Sequence, residues 1–396
     1  MVKRRNFELR ETVWPLEWAR EVGVYIFGKE IRNISPGRVH VKGYGDRINL
    51  SSYSYLGLIG NSEIENASIE AVRTHSTASH GVRLLSGSHD LHHALEARIA
   101  EFKGAEDCIT FSSGYSANIS IIGGLVGRGD YVVGDKLNHA SIVDGCIVSG
   151  ANFVRFNHND PDHLHRRLKD LPADANVLVV CDGVFSMDGD ILNLPKIAEV
   201  CKENGALLMV DEAHSLGVIG DSGRGIEEHF GLGDDAVDIK MGTLSKTIPS
   251  NGGYACASKE IVDFLKHQGR GFIYSAAVTP SNAAAAITAF DVIDREPERV
   301  AKLHHKARLM KSLLNESGIN TLSSETAVIP ALCGSDERAW FLAKHCMENG
   351  IFVQGIPYPV VSRNAARLRC IVTSDHSDDD IQEAAYVISS AFQVIK

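Results

Sequence analysis

Short apolar runs alternate with amphipathic stretches from about residue 49 to residue 280, and this alternation constrains the fold more than any other feature. Six runs are typical of strands: "DCITFSS", "DYVVGD", "NFVRFN", "NVLVVCDGVFS", "ALLMVDEAH" and "VDIKMGTLS". Three stretches between them have helical spacing: "DLHHALEARIAEFKG", "DHLHRRLKDL" and "LPKIAEVCKENG". Because nearly uninterrupted apolar strands need cover on both faces, we predict an α/β fold with a mostly parallel central sheet covered by helices.

The same pattern divides the chain into three parts. Residues 49–280 are predicted to form the large domain, and a helical stretch after Pro280 leads into renewed alternation. We therefore expect a smaller α+β C-terminal domain over 281–396 and an N-terminal arm over 1–48. A chain of 396 residues with 44% hydrophobic residues is long enough to bury a large core.

Composition excludes several classes of partner. Forty Lys and Arg against fifty Asp and Glu give a formal charge of -10, which provides no general attraction to nucleic acid or to anionic membranes. No apolar run approaches the roughly 20 residues that span a bilayer. The eight cysteines are scattered singly without a CxxC pair, and no signal peptide pattern precedes them. We therefore expect reduced thiols, a cytoplasmic location, no nucleic-acid partner and no integral membrane segment.

The tetrapeptide from Asp211 to His214 reads like the metal-binding box of an ATP-driven helicase. That reading needs a glycine-rich phosphate loop, GxxxxGK[ST], and the chain contains none. The nearest fragment, "GTLSKT", lacks the glycine before Lys246. Nucleotide hydrolysis is thereby disfavoured, and Asp211, at the end of an apolar strand, needs another cationic partner.

Four strands end in small or polar residues, in "FSSGYSAN", "DGVFSMDGD", "VDEAHS" and "GTLSKT". Carboxyl ends of parallel strands meet at one edge of a sheet, so these tips are expected to converge. Ser113 and Gly114 precede a helix, whose free amides bind phosphate well. A lysine (Lys246), a buried carboxylate (Asp211) and such a helix start suit pyridoxal phosphate, because the lysine can hold the cofactor covalently while the carboxylate keeps its ring nitrogen protonated.

An ordered series of motifs carries a family resemblance. "SGSHDLHHALE", "FSSGYSAN", "NHASIVDG", "HND", "VFSMDGD", "VDEAHSLGVIGDSGRG", "GTLSKT", "GGY", "FIYSAA" and "ARLRC" follow one another as in the α-oxoamine synthase family. From about Ile48 to the C-terminus the chain resembles these fold-type I pyridoxal phosphate transferases. The resemblance implies that fold, that cofactor and a homodimer whose active sites lie at the subunit interface.

The resemblance also implies roles for four central residues. Lys246 would carry the cofactor and then act as the acid and base at the α-carbon of the amino acid. Asp211 would hold the ring nitrogen, and His214 would hydrogen-bond the phenolic oxygen of the ring. His139, of "NHAS", would stack over the ring and contact the substrate carboxylate.

Further residues are assigned in the same way. Ser186 would lie near the ring oxygen. The phosphate end would be held by Ser113, Gly114, Tyr115 and Thr243, together with Ser275 and Ala276 of "FIYSAA". The substrate would contact Arg369, Tyr53 and Ser54, with the planar guanidinium of Arg369 pairing with the carboxylate.

The sequence departs from the family pattern at three places. His80 stands where relatives often have glycine, and Ala276 stands where many supply a threonine hydroxyl to the phosphate of the neighbouring subunit. Tyr53 and Ser54 replace the Asn-Asp of the biotin-pathway members, which bears on substrate choice. The cluster His89, His92 and His93 lacks a further ligand at helical spacing, so no metal site is expected.

The implied reaction joins a small L-amino acid to an acyl thioester of coenzyme A or of an acyl carrier protein, with loss of carbon dioxide. Serine or alanine is favoured, as in a serine palmitoyltransferase-like enzyme. The alternative is an 8-amino-7-oxononanoate synthase, which uses alanine and a pimeloyl thioester, and glycine C-acyltransferases follow. Two interpretations are more distant. One is an aminotransferase on the same fold, and the other is a regulatory partner subunit of the kind that typically lacks the lysine.

Overall fold

The computed structural model describes residues 16–25, 28–35 and 37–396. In chain order the strands are β1 (Ile31–Ser35), β2 (Arg38–Val41), β3 (Gly45–Asn49), β4 (Asp107–Phe111), β5 (Tyr131–Asp135), β6 (Asn152–Phe156), β7 (Val177–Asp182), β8 (Leu207–Asp211), β9 (Ile239–Ser245), β10 (Pro249–Ala257), β11 (Val328–Gly334), β12 (Ile351–Phe352), β13 (Gln354–Ile356) and β14 (Ala366–Ile371). The helices are α1 (Leu16–Glu21), α2 (Ser62–His75), α3 (Asp90–Lys103), α4 (Gly114–Leu125), α5 (Ala140–Ser149), α6 (Pro161–Lys169), α7 (Leu194–Glu203), α8 (Ile226–Phe230), α9 (Lys259–Gln268), α10 (Arg270–Ile273), α11 (Pro280–Arg295), α12 (Glu298–Glu316), α13 (Asp336–Glu348) and α14 (Asp378–Val394).

The central sheet has seven strands in the order β4-β10-β9-β8-β7-β5-β6. All of them run parallel except β10, which pairs antiparallel with both β4 and β9. The mostly parallel α/β sheet expected from the sequence is therefore confirmed. The carboxyl ends of β4, β5, β7, β8 and β9 lie along one edge, where a ligand crevice is expected.

Successive residues of each central strand pack into two different apolar layers. In β7, Leu178 and Val180 join the layer that contains Ile121 of α4, whereas Val179 and Cys181 join the layer that contains Ile99 of α3. This alternation follows from the two-residue period of a strand, and it explains why the strands read as continuous apolar runs. The sheet is rigid because both of its faces are buried.

The helical stretch after Pro280, which the sequence suggested as one long connector, is two helices. Helix α11 ends at Arg295 and α12 begins at Glu298, with Pro297 between them. Proline has no backbone N–H and its ring clashes with the preceding helical turn, so it ends the first helix here. Helix α11 packs against α2 and α3, and α12 packs against α14.

The remaining strands form two small sheets. One is β11-β14-β13, and the other is β1-β2-β3-β12. In the second sheet β3 pairs in parallel with β12, so the segment that precedes residue 50 is joined to the C-terminal part of the chain. Where it is described, the predicted arm thus contains α1 and the strands β1, β2 and β3, whereas its basic start, "MVKRRNFELR", lies outside the described residues. The two boundaries between the three predicted parts stay a prediction.

Two other expectations concern the cysteines and membrane-spanning segments. All eight cysteines are buried and none forms a disulfide. Within the described residues, no helix combines the length and the apolar character needed to cross a bilayer.

Candidate active site

Polar side chains from several strand tips line one cavity of about 230 Å³ at the carboxyl edge of the central sheet. It is lined by Ser113, Gly114, Tyr115, Asn118, His139, Ser141, Asp182, Asp211, Ala213, His214, Met241, Thr243, Ser245 and Lys246. The four segments that the sequence expected to converge each contribute at least one of these residues. The reason is topological, because parallel strands deliver their carboxyl ends to the same edge.

Asp211, the last residue of β8, is 3% exposed and accepts two hydrogen bonds. Asn118 Nδ2 donates to its Oδ2 at 2.8 Å, and the backbone N–H of Ala213 donates to its Oδ1 at 2.9 Å. An ionised carboxylate is purely an acceptor, and donors of this kind stabilise the charged form. Asp211 therefore offers a negative charge with lone pairs left for a cationic ligand.

His139 caps α5 and is tied to Asp211 through two intermediates. Asn118 Nδ2 also donates to Ser141 Oγ at 2.8 Å, and Ser141 Oγ lies 2.7 Å from His139 Nδ1. The backbone N–H of Ser141 donates to the same Nδ1 at 3.2 Å, so Nδ1 is the acceptor nitrogen and Nε2 carries the proton. Burial lowers the pKa of His139, Asp211 opposes that shift, and Lys246 reinforces it. The ring is consequently neutral at neutral pH.

His214 is held by Tyr55, which lies 159 residues earlier in the chain. The Tyr55 hydroxyl is 2.6 Å from His214 Nδ1, and both side chains are buried. Burial, followed by the charges of Lys246 and Arg369, lowers the pKa of His214 well below its usual value, and burial raises the pKa of Tyr55. A neutral phenol and a neutral imidazole therefore share this hydrogen bond. In the tautomer whose Nδ1 accepts from the phenol, the Nε2 proton of His214 is free to donate elsewhere.

Lys246 follows β9 and lies between this cavity and a second groove. Burial lowers the pKa of Lys246 to about 8, against the charge of Asp211, which raises it. Its Nζ lies 5.5 Å from the centre of the Tyr53 ring. An amine with a pKa this close to neutrality is a far better nucleophile at pH 7 than an exposed lysine.

The start of α4 and the neighbouring strands form a tight cradle of small residues. Ser113 caps α4 by accepting a hydrogen bond from the N–H of Ser116 at 3.1 Å. A Cβ atom on Gly114 would lie 3.0 Å from Thr243 Oγ1, and one on Gly253 would lie 2.6 Å from the Ser113 carbonyl oxygen. Side chains are excluded here, so the amides of the helix start remain accessible to an anion.

Arg369, in β14, is 8% exposed and, among the described residues, has no carboxylate partner. Its Nη2 donates to the Tyr53 hydroxyl at 2.6 Å, and its Nη1 lies 3.9 Å from Met187 Sδ. The neighbouring Arg367, by contrast, is paired with Asp188. A buried guanidinium without a counter-charge is a candidate binding group for an anion.

Not every residue assigned from the sequence reaches the cavity. Six assigned residues are absent from its lining: Tyr53, Ser54, Ser186, Ser275, Ala276 and Arg369. Ala276 instead forms a β-bridge with Val82, and Ser275 Oγ lies 3.2 Å from Ser112 Oγ, beside the α4 start. Ser54 lines the second groove rather than the cavity.

Two further residues discussed in the sequence analysis, Tyr115 and His80, contact other side chains. Tyr115 lines the cavity, but its hydroxyl hydrogen-bonds Asp144. His80 adopts a positive φ of 56° and its ring stacks near that of His89, at 6.1 Å between centroids. No group of three or more potential ligands that could hold a metal ion occurs in the part of the chain that the structure describes.

Sequence reasoning gave no role to four residues of this site: Asn118, Ser141, Asp182 and Tyr55. The first three lie inside quoted motifs. A signal existed for Asn118, because it is a polar residue on the otherwise apolar helix "NISIIGGL". Tyr55 carried no such signal, because its partner His214 is distant in sequence.

The donor set fits pyridoxal phosphate. It provides an amine of lowered pKa at Lys246, a carboxylate at Asp211 and a side-chain-free helix start at Gly114. These match the aldehyde, the ring nitrogen and the phosphate of that cofactor.

Comparisons with known proteins agree with this chemistry. The family model described as "Aminotransferase class I and II" matches residues 45–388. The 8-amino-7-oxononanoate synthase of Geobacter sulfurreducens is 43% identical over 378 residues, which cover 95% of this chain and 96% of that protein. The serine palmitoyltransferase of Sphingobacterium spiritivorum is 35% identical over 379 residues, covering 96% and 94%.

A solved structure of serine palmitoyltransferase from S. paucimobilis superposes with a TM-score of 0.92 at 31% identity and covers 96% of each chain. Both kinds of relative are α-oxoamine synthases, which use pyridoxal phosphate to form a carbon-carbon bond. The chain therefore belongs to the aminotransferase class I and II family and, within it, to the pyridoxal phosphate-dependent α-oxoamine synthases of fold-type I.

Proposed function

We propose that this enzyme condenses a small L-amino acid with an acyl thioester at the Lys246 cavity and releases carbon dioxide, a thiol and an α-amino ketone. The observation that carries the proposal is the buried amine of Lys246 in the cavity that Asp211, His139 and His214 also line. When bound, pyridoxal phosphate withdraws electrons from the α-carbon of the amino acid. The new bond joins that carbon to the acyl carbonyl carbon.

The residues of the chain divide the remaining tasks. Lys246 Nζ takes the α-proton, which its lowered pKa allows near neutral pH. Asp211 would hold the ring nitrogen of the cofactor, and His214 would donate its Nε2 proton to the phenolic oxygen. His139 would lie against the ring, and Arg369, which has no carboxylate partner among the described residues, would receive the substrate carboxylate.

Alanine with a pimeloyl thioester is the substrate pair best supported by the curated relatives. The 8-amino-7-oxononanoate synthases reach 43% identity, whereas the serine palmitoyltransferase reaches 35%. This order favours the alternative from the sequence over the serine palmitoyltransferase-like reading.

The second candidate, a donor with an uncharged acyl tail, is favoured by the groove next to Lys246. This groove has a volume of about 420 Å³ and is lined by Tyr53, Ser54, Leu58, Ile59, Gly60, Asn61, Ile64, Glu65, Ser245, Lys246, Pro249 and Ser250. Among these described residues Lys246 is the one cation, and Glu65 is a carboxylate. A terminal carboxylate on the acyl chain would find no positive partner here and would meet the charge of Glu65.

Two thioesters separate these candidates: pimeloyl and the monocarboxylic acyl group of the same length. A higher kcat/KM for the pimeloyl thioester supports the biotin-pathway reaction, and the reverse order supports the second candidate. Glu65→Gln should raise kcat/KM for the pimeloyl donor alone, because only that donor carries the second charge. An equal effect on both donors would show that Glu65 does not face the acyl tail.

The reaction class is tested by Lys246→Ala. We expect loss of the absorption band of the lysine-bound cofactor and loss of turnover, with the fold retained by circular dichroism. Lys42→Ala is the matched control, since Lys42 is a lysine whose side chain is 72% exposed and pairs only with Glu30. Retained turnover in Lys246→Ala refutes the proposal. Titration of the wild-type band with glycine, alanine and serine identifies the amino acid.

We further propose a homodimer with the active sites near its interface. Leu84, Leu85 and Tyr274 are 66%, 79% and 70% exposed, and they flank the bridge between Val82 and Ala276. Apolar side chains exposed together mark an interaction surface. The same segment reaches the α4 start through Ser275, which supports an interface next to the phosphate end.

Light scattering tests the dimer, because one chain has a mass of 43.0 kDa. Leu85→Glu should shift the mass from twice that value towards it. Tyr386→Glu is the control, since Tyr386 is 75% exposed on α14. A wild-type mass of one chain contradicts the proposal.

A further inference from the structure

Two aspartates end neighbouring strands of the central sheet. Asp182 is the last residue of β7 and Asp211 is the last residue of β8, and the two are paired in register. Both line the active-site cavity, and they are 4% and 3% exposed. Two buried carboxyl groups side by side cannot both ionise without a large cost, so such a pair tends to keep one proton.

The hydrogen bonds decide which carboxyl keeps the proton. Asp211 accepts from Asn118 Nδ2 and from the N–H of Ala213, whereas Asp182 accepts from the backbone N–H of His139 at 2.7 Å. In the described part of the chain neither aspartate forms an ion pair with a basic side chain. Since more donors favour ionisation, the negative charge belongs on Asp211 and the proton on Asp182.

The charged groups around Asp182 act in both directions. Its burial raises its pKa well above the usual value, and the charges of Asp211 on β8 and Asp135 on β5 raise it further. Lys246, after β9, and the N–H of His139, at the start of α5, lower it. The effects of burial and of like charge exceed those of the cation and the hydrogen bond.

We propose that Asp182 is a positioning residue that remains protonated beside ionised Asp211. The pair then presents a single negative charge to a ring nitrogen, and a neutral oxygen of Asp182 anchors the backbone of His139. A second charge would raise the pKa of Lys246, because carboxylates near this amine stabilise its protonated form. This inference rests on the proposed roles of Asp211 and Lys246.

Infrared spectroscopy of the apoenzyme tests the protonation directly. With carbon-13-labelled aspartate, wild-type protein at pH 7 should show the carbonyl band of a protonated carboxylic acid. Asp182→Asn should lose that band, whereas Asp211→Asn, which removes the like charge, should lower the pH at which the band of Asp182 disappears. Absence of any protonated aspartate in the wild type overturns the proposal, even if the variants fail to fold.

The ionisation midpoint of Lys246 in the apoenzyme gives a second readout. Asp182→Asn should leave it within about 0.3 pH unit, because one neutral group replaces another. A fall of about one unit or more would mean that Asp182 was charged. Neither measurement needs turnover, so a failure of the proposed reaction would leave both unchanged.

A third variant, Asp182→Ala, tests the anchoring of His139 separately from the protonation of Asp182. Asparagine keeps an oxygen that can accept from the His139 N–H, and alanine does not. We expect kcat/KM in Asp182→Ala to be about tenfold below that of Asp182→Asn. Equal values would overturn the positioning role.

Discussion

The ionisation of Lys246 can be measured in the apoenzyme. Its pKa is lowered from 10.5 to about 8, chiefly by burial. At pH 7 about one molecule in ten would therefore carry the neutral amine, compared with about one in 3,000 for a lysine with the usual pKa. The structure thus predicts roughly 300-fold more nucleophile at neutral pH.

The assay follows covalent labelling of Lys246 by a small amine-reactive reagent across pH, with the labelled peptide counted by mass spectrometry. The labelling rate should rise with pH and reach a plateau above a midpoint near 8. Exposed Lys42 serves as the internal reference for reagent concentration. Asp211→Asn should move the midpoint of Lys246 down, since the charge of Asp211 raises that pKa. A rate at Lys246 that climbs without a plateau beyond pH 10 would refute the reasoning.

The same shift has a consequence for stability, and its sign is fixed by linkage. The folded-state pKa lies below the unfolded one, so the unfolded apoenzyme binds more protons between pH 8 and 10.5. At pH values below this window, Lys246 therefore lowers the free energy of unfolding by about 3 kcal/mol. This destabilisation disappears as the pH rises through the window. Lys246→Met should stabilise the apoenzyme at pH 7 and lose that advantage near pH 10.5 in denaturant unfolding. A pH-independent difference between the two proteins would contradict this account.

Two further substitutions test the surroundings of the site. Tyr55→Phe removes the hydroxyl that lies 2.6 Å from His214 Nδ1. We expect the free energy of unfolding in denaturant to fall by about 1–3 kcal/mol, and kcat to fall with little change in KM. Unchanged stability and kcat would mean that the hydroxyl is not a partner of that ring. Gly225→Ala places a Cβ 1.8 Å from Glu212 Oε2 at a residue whose φ is 104°. The substitution should displace Glu212 from its 2.8 Å ion pair with Lys103 and lower the melting temperature. An unaltered melting temperature would show that the backbone relaxes freely there.

The central sheet could be predicted because its strands carry their own signal. The inner parallel strands β5, β7, β8 and β9 are buried on both faces, so a continuous apolar run is enough to identify each of them. Strand β10 carries a weaker signal, since it starts at Pro249 and contains the adjacent glycines Gly252 and Gly253. Gly253 is needed where the backbone passes close to Ser113, so the requirement of the site overrode the usual strand composition.

Contacts between distant segments could not be predicted in this way. The sequence placed Asp211 and His214 at the site but gave no indication of Asn118 or Tyr55 as their partners. These hydrogen bonds depend on how α4 and the segment after β3 pack onto the strand tips. The pairing of β3 with the two-residue strand β12 is of the same kind, because so short a strand has no pattern of its own.

Burial acts on the titratable groups of the cavity in one consistent direction, towards the uncharged form. It lowers the pKa of His139 and His214 and raises the pKa of Asp182. Two charge-bearing side chains besides Lys246 remain at and beside the cavity: Asp211, which accepts two hydrogen bonds, and Arg369, which donates to the Tyr53 hydroxyl. A ligand with a cationic ring nitrogen and an anionic carboxylate matches these two charges in only one orientation. The neutral histidines therefore help to select one orientation of the ligand. A protonated ring at either position would offer the substrate carboxylate a second cation and weaken the preference for that orientation.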